Sequence, residues 1–553
     1  MKKPIIYQML PRLWGNSTAE PIRNGSLKDN GTGKFSDIDN STLEYLKWLG
    51  CSHVWYTGVI RHSTQESESG CMPSHPQFVK GRAGSPYAIC DYYDVNPYLA
   101  DDPDKRMSEF DELIKRTHDN GLKLIIDFVP NHVSRDYGKV HPTPGHPVLG
   151  AEDDKTVHWK AENDFFYYPD ERLILPVICP DGMPLYYEYP AMATGNNCYT
   201  PCPGINDWYE TVKINYCDFH TSTWDKMLDI ILFWMNKGVD GFRCDMVELV
   251  PPQFFKWLIA KAKEINPDII FIAEVYQKEL YNEYINNVGF DYLYDKSGLY
   301  DTLRAIVEKT ANDNGLPVES WQSTMGITRN WQFLGDLQPH MLNFLENHDE
   351  QRFSSDFFGK DKTRTFAALK VSLMLNTAPF MIYFGEEVGE RGMDTEGFSG
   401  CDGRSTIFDW WSIETIRTLR RTINSGAYKS LNADDLVNSG LSKDDSDYFI
   451  RFASAIRLTA SDDTLGSGST YDLCYCNYDS DGFDKDRHFA FLRSLENHTY
   501  LIVANFSDHD ATVKIQIPTH AFEWSGLVTS DSLNPSHPIE VSVSANEATI
   551  VEI

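Results

Sequence analysis

Eight short apolar runs recur along the chain up to residue 384, and most are followed by a stretch with helical periodicity. They are Ile5–Leu10, His53–Thr57, Lys123–Phe128, Gly241–Asp245, Ile269–Glu274, Tyr292–Tyr294, Met341–Glu346 and Phe380–Phe384. Helical patterns run from Ser108 to Asn120, stopping at Gly121, and from Ser222 to Lys237, stopping at Gly238. A third opens at Pro252 and ends before Pro267. Strands that are apolar along nearly their whole length have both faces covered, which means a parallel sheet with helices packed on it. Eight such units predict an α/β fold, a (β/α)8 TIM barrel. In that fold the working residues sit at the C-terminal ends of the strands.

Two stretches break the pattern. Roughly 85 residues, 133–219, separate the third strand from the next helix and are rich in Pro, Gly, Tyr and Asp. That is far too long for a barrel loop and predicts a domain inserted after the third strand, overhanging the site. After Leu458 the runs His488–Arg493, Tyr500–Asn505 and Thr512–Ile517 alternate without helices between them. They predict a C-terminal antiparallel β-sandwich joined through the polar segment Ser461–Tyr471. The expected organisation is barrel over 1–132, inserted domain over 133–219, barrel again over 220–458 and sandwich over 459–553.

Charge and cysteine usage exclude several functions. A formal net charge of −30 lacks the basic footprint that nucleic acid or an anionic membrane surface requires, so neither is expected as a partner. The eleven cysteines come without the matching His/Cys set of a zinc site, and free, mostly buried thiols are expected. The N-terminal apolar run is too short for a signal peptide, which reads as cytoplasmic.

The strand ends carry the chemistry. Arg243 and Asp245 lie two residues apart and share a strand face. A permanent cation beside a carboxyl keeps it ionised, as a covalent glycosidase nucleophile must be. Another apolar strand ends in Glu274, 29 residues on. The third strand ends in Asp127-Phe128-Val129-Pro130-Asn131-His132 and the seventh in Glu346-Asn347-His348-Asp349. Any one of these acids or histidines alone reads equally well as a cap, an ion-pair partner or a satisfied structural group. Four polar ends in order on one barrel define a site.

These segments closely resemble the motifs of the α-amylase family of glycoside hydrolases (family 13). The resemblance extends to Val54-Trp55-Tyr56-Thr57, to Ser85 through Tyr92, and to Pro379 through Glu387. It implies Asp245 as nucleophile, Glu274 as general acid and then base, and Asp349 as the third acid that binds sugar hydroxyls. It further implies that Arg243 orients Asp245, that His132 and His348 bond the sugar, and that Tyr87 stacks beneath it. The expected activity is retaining hydrolysis of α-1,4-glucosidic bonds in a neutral α-glucan such as starch, glycogen or maltooligosaccharides. Two alternatives keep the same barrel: a glucanotransferase or cyclodextrin/short-oligosaccharide enzyme with the same catalytic residues, and a non-catalytic glucan-binding protein.

Two points depart from that pattern or extend it. Many starch-cleaving relatives carry Lys-His where this chain has Glu248-Leu249, which reverses the charge on the leaving-group side. Glu248 either changes acceptor recognition or caps the chain locally before Pro251. Asn131 matches a family ligand for a structural calcium, the one cofactor the resemblance implies; no organic cofactor is expected. The oxygen-rich loop Asn24–Gly31 reads more readily as a turn than as an ion site.

Overall fold

The computed structural model describes residues 3–67, 72–139, 143–313, 315–392, 400–528 and 533–553. Its centre is a closed barrel of eight strands. In chain order these are β1 (Ile5–Met9), β2 (His53–Tyr56), β3 (Lys123–Phe128), β4 (Gly241–Cys244), β5 (Ile270–Ala273), β6 (Tyr292–Tyr294), β7 (Met341–Phe344) and β8 (Phe380–Tyr383). Each pairs in parallel with its sequence neighbour, and β8 closes on β1 with Ile5 opposite Phe380. The buried runs Leu124-Ile125-Ile126 and Phe271-Ile272-Ala273 show why: side chains are covered on both faces, by the barrel interior and by the helices outside.

The helices follow their apolar periodicity. Ser222–Lys237 buries Trp224, Met227, Ile230, Ile231 and Trp234 along one stripe. It ends where Gly238 takes a left-handed turn (φ 102°) that a residue with a Cβ adopts only under strain. Arg106–Asp119 and Pro252–Ile265 occupy the other two expected spans within two residues.

Between β3 and the next helix the chain makes two short antiparallel pairs, His132–Ser134 with Thr211–Lys213 and Tyr167–Tyr168 with Ala191–Met192. The first pair ties both ends of the insertion to the tip of β3.

The C-terminal region holds β9 (Ser469–Asp472), β10 (His488–Leu495), β11 (His498–Asn505), β12 (Ala511–Ile515), β13 (Ile539–Val543) and β14 (Glu547–Glu552). β9, β10, β11 and β14 form one antiparallel sheet, and β12 and β13 a second antiparallel pair with buried Val513, Ile515, Val541 and Val543. The change from barrel to sheet comes later than residue 458. Helix Lys443–Ser461 runs through that point because Phe449, Phe452, Ala453 and Ile456 keep its apolar stripe. The segment expected as a linker is itself ordered as helix Asp463–Ser467 and strand β9. No described helix is long and apolar enough to cross a membrane.

Candidate active site

The C-terminal ends of β3, β4, β5 and β7 bring Asp127, Arg243, Asp245, Glu274, His348 and Asp349 together at one mouth of the barrel. Arg243 is the hub. Its guanidinium is fully buried, caged by the rings of Trp55, Tyr87 and Tyr294 at 5.4–5.6 Å. A buried cation needs anions, and it has three. Nη1 donates to Asp245 Oδ1 at 2.6 Å and lies 3.8 Å from Asp127 Oδ1, while Nη2 lies 3.0 Å from Glu274 Oε2. The Glu274 contact is an ion pair without hydrogen-bond alignment, since Nη2 has no bonded acceptor.

Glu274 is gripped on both oxygens. The phenol of Tyr276 donates to Oε1 at 2.5 Å, and the backbone N–H of Met246 donates to Oε2 at 2.9 Å. Met246, immediately after Asp245, sits at φ 46° and ψ 46°. A side-chain-bearing residue there costs on the order of 1–3 kcal/mol, and the turn directs its amide at Glu274.

His348 is fixed from both sides. Gln8 Nε2 donates to its Nδ1 at 2.9 Å, which places the ring proton on Nε2. That nitrogen faces Tyr87 Oη at 2.5 Å and Asp349 Oδ2 at 3.1 Å. The Tyr87 and His348 rings stack at 5.3 Å. Burial holds the imidazole well below its ordinary pKa, and Arg243 adds to this, so the ring is neutral. His132 is neutral for the same first reason, lowered to about 3 by burial and then by Lys213, and its ring lies 5.3 Å from Trp208.

The carboxyls compete for protons. Burial pushes Asp245 well up and Glu274 adds to the rise, while Arg243 opposes both. Asp349 keeps 40% of its side chain open to the cleft. It is nevertheless raised to about 7, first by desolvation and then by the charge of Glu274. Asp127 is raised by burial to about 6. One guanidinium among four carboxyls cannot hold all of them ionised, so the group carries protons as a unit. A protonated and an ionised carboxyl on one cavity is what acid-plus-nucleophile chemistry requires.

The cavity measures about 260 Å³ and is lined by Tyr87, His132, Asp245, Glu274 and Asp349. It is also lined by residues not anticipated from sequence: Lys80, Trp208, Glu210, Tyr276 and Phe408. Tyr276 was within reach of the argument that joined Arg243 to Asp245, because it lies two residues beyond Glu274 on the same strand exit. Lys80 and Glu210 form a 3.0 Å ion pair across 130 residues of chain, for which no local signal exists.

Asn131 does not present a free oxygen. Its Oδ1 accepts from the buried ammonium of Lys213, which also donates to Leu249 O at 2.7 Å. Its Nδ2 donates to Gly195 O at 2.8 Å, a close approach made possible because a Cβ on Gly195 would lie 2.8 Å from that of His132. A cation is already supplied by the chain, and no cluster of three His, Cys, Asp or Glu able to hold a metal occurs among the described residues. The surroundings of Asn131 therefore do not fit calcium. Chelator is expected to leave the melting temperature and activity unchanged. Lys213→Met strands two buried carbonyls and should cost about 1–3 kcal/mol each, read as a lower melting temperature. In the Asn24–Gly31 loop, Asn30 spends its amide on Ile22 N, Ile22 O and Trp410 O, and Ser26 caps the short helix Leu27–Asn30. That segment is a bend leading into one capped helical turn, with the Asn30 side-chain oxygen committed to the chain. Cys198 and Cys202 remain thiols, as do Cys474 and Cys476.

An eight-stranded barrel with buried carboxyls gathered on one arginine at its strand ends is the architecture of a sugar-cleaving or sugar-transferring barrel. The alpha-amylase catalytic-domain model matches residues 8–430, so the chain belongs to the α-amylase family, glycoside hydrolase family 13. It is 26% identical over 405 residues to Alpha-amylase 3 of Dictyoglomus thermophilum, covering 71% of this chain and 65% of that one. It is 24% identical over 295 residues to the alpha-1,4-glucan:maltose-1-phosphate maltosyltransferase of Cereibacter sphaeroides, covering 52% and 39%. The matched stretches thus span from about two-fifths to just under two-thirds of those relatives' own length. A cyclic alpha-maltosyl-(1→6)-maltose hydrolase from Arthrobacter globiformis shares the fold at 15% identity with a TM-score of 0.62, over the full length of both chains.

Proposed function

We propose that this chain is a retaining glycoside hydrolase that cleaves α-1,4-glucosidic bonds of an α-glucan. The observation that carries this reading is Arg243 bridging Asp245 and Glu274 on the wall of one aromatic-lined cavity, with Asp349 facing them. Arg243 contacts Asp245 at the shorter distance and with hydrogen-bond alignment. Arg243 thus opposes the rise that burial imposes on Asp245 and holds its carboxyl oxygen in a fixed direction for attack. Asp245 attacks the anomeric carbon as the bond to the leaving oxygen breaks and Glu274 delivers a proton to that oxygen. Glu274 then takes a proton from water, whose oxygen displaces Asp245. Tyr87, His132, His348 and Asp349 hold the sugar being cleaved. The non-catalytic alternative has little support, because Asp245, Glu274 and Asp349 are all present and share the cavity.

One feature favours short substrates and chain ends over mid-chain attack. Lys80 and Glu210 join the loop after β2 to the insertion, and Ala83 N–H donates to Phe408 O at 2.9 Å, joining the same loop to the one after β8. Both ion-pair partners are largely buried, and both line the cavity. These segments wall the cavity on the β8–β1–β2 side, across the barrel mouth from Glu274 on β5. A panel of soluble starch, pullulan, cyclodextrins and maltooligosaccharides tests both points. The expected early products are short, retain the α configuration, and accumulate while starch viscosity persists. An inverted first product overturns the retaining mechanism, and rapid loss of viscosity overturns the chain-end preference. Products longer than the input would instead favour the glucanotransferase reading.

A further inference from the structure

We propose that Glu248 and Tyr276 form a clamp that positions the acid/base carboxyl of Glu274, an inference that rests on the hydrolytic reading above. Glu274 N–H still donates to Cys244 O of β4 at 3.2 Å, but Tyr276 and Gln277 lie beyond the end of β5 in a stretch without regular structure, where backbone amides need partners from outside a helix or sheet ladder. Glu248, on the single turn Val247–Leu249 after β4, supplies one. Its Oε1 accepts from the backbone N–H of Tyr276 at 3.1 Å and from that of Gln277 at 2.7 Å. A carboxylate receiving two backbone donors fixes the direction in which the segment leaves the strand. The consequence appears one side chain away: Tyr276 lines the cavity, and its phenol donates to Glu274 Oε1 at 2.5 Å. Burial and the Glu274 carboxylate keep that phenol far above its ordinary pKa, so it remains a donor. Glu248 therefore faces the backbone of the neighbouring loop, nearer to the local-capping alternative than to direct acceptor recognition, and acts through Tyr276.

The chemistry of the clamp follows from what faces Glu274. Arg243 and Asp245 approach it from β4, Tyr294 from β6, Asp349 from the loop after β7, and Tyr276 from its own loop. Of these, Tyr276 alone donates a hydroxyl proton to the carboxylate, so it favours the ionised form reached after proton delivery. Removing that donor leaves Glu274 Oε1 without its hydroxyl partner and frees the carboxyl to turn away from the leaving oxygen.

The test compares aryl α-glucosides of graded leaving-group pKa with maltotriose. Tyr276→Phe should slow maltotriose and poor aryl leaving groups roughly tenfold and the best leaving group by less than about threefold. Glu248→Ala should slow maltotriose and poor aryl leaving groups roughly 10- to 100-fold and the best leaving group by less than about threefold. Glu248→Gln retains an acceptor oxygen and should recover most of the loss. Equal slowing of good and poor leaving groups in Glu248→Ala or in Tyr276→Phe, or no recovery in Glu248→Gln, would overturn the clamp. Thermal melts identify unfolded variants, and Tyr276→Phe, a one-atom deletion, serves if Glu248→Ala melts. Should the unaltered protein turn over neither maltotriose nor any aryl α-glucoside, the hydrolytic reading falls. Turnover by the unaltered protein with variants that fail these patterns would remove the clamp alone.

Discussion

Replacing Asp245 with Asn should abolish turnover, by on the order of 10⁴- to 10⁶-fold in kcat, the range lost when a covalent nucleophile is removed from a catalytic unit. The amide keeps the size of the carboxyl but has neither the charge nor the nucleophilic oxygen. The effect on folding differs. Asp245 shares Arg243 with Glu274 and Asp127, so the buried guanidinium keeps two carboxyl partners when Asp245 becomes an amide. Burial also raises Asp245, so the folded state gains by releasing its charge. Melting temperature should therefore hold within a few degrees while activity disappears, and substrate should still bind through Tyr87, His132 and Asp349. Activity and thermal denaturation measured on the same preparation decide it. A variant that keeps more than about one-hundredth of wild-type kcat removes Asp245 from the nucleophile role, because that activity is far above what survives the loss of a covalent nucleophile. Arg243→Met is the contrasting case. It leaves Asp245 and Glu274 buried without their cation, and should both inactivate and destabilise by roughly 3–5 kcal/mol.

The contrast between these two variants follows a division in what the amino-acid order makes legible. The barrel was readable because each strand is a short apolar run bounded by glycine, proline or polar residues, and β4 begins and ends within a residue of its expected limits. The placement of Arg243, Asp245 and Glu274 at one mouth of the barrel was readable because it is fixed by local rules. Side-chain alternation joins Arg243 to Asp245, and a strand exit presents Glu274. What stayed hidden depends on chain crossings. Lys213 reaches Asn131 only because the insertion returns to pair with His132–Ser134, and the sequence there shows one lysine in an ordinary alternating stretch. The Lys80–Glu210 wall and the Glu248 contact with the next loop have the same character. Helix Lys443–Ser461 crosses the boundary drawn at Leu458 for another reason: the polar residues that follow suggested a joint, while the buried stripe that carries the helix continues to Thr459. The carboxyls proposed to react sit at strand ends, which local pattern locates. Specificity and cation replacement sit between loops, which only the folded chain brings together.

Glu274→Gln should separate substrates by leaving group. Glutamine keeps the side-chain carbonyl that accepts from Tyr276 or Met246 but has no acidic proton to deliver. Loss of general acid catalysis costs about 10²- to 10⁴-fold where the leaving oxygen is a sugar alcohol that needs protonation. An aryl or fluoride leaving group departs without it, so glycosyl-enzyme formation should persist at a rate within roughly tenfold of wild type. Hydrolysis of that intermediate then becomes the slow step, because the same carboxyl acts as base toward water. The expected record is a burst of released leaving group, close to one per active site, followed by slow turnover. A small anionic nucleophile such as azide needs no base and should restore turnover, giving a product that retains the α configuration. The pattern depends on Asp245, so the double variant Asp245→Asn/Glu274→Gln should show no burst. Equal loss on maltotriose and on an activated glucoside, with no burst and no rescue by azide, would remove Glu274 from the acid/base role and leave its contact with Arg243 as charge balance alone.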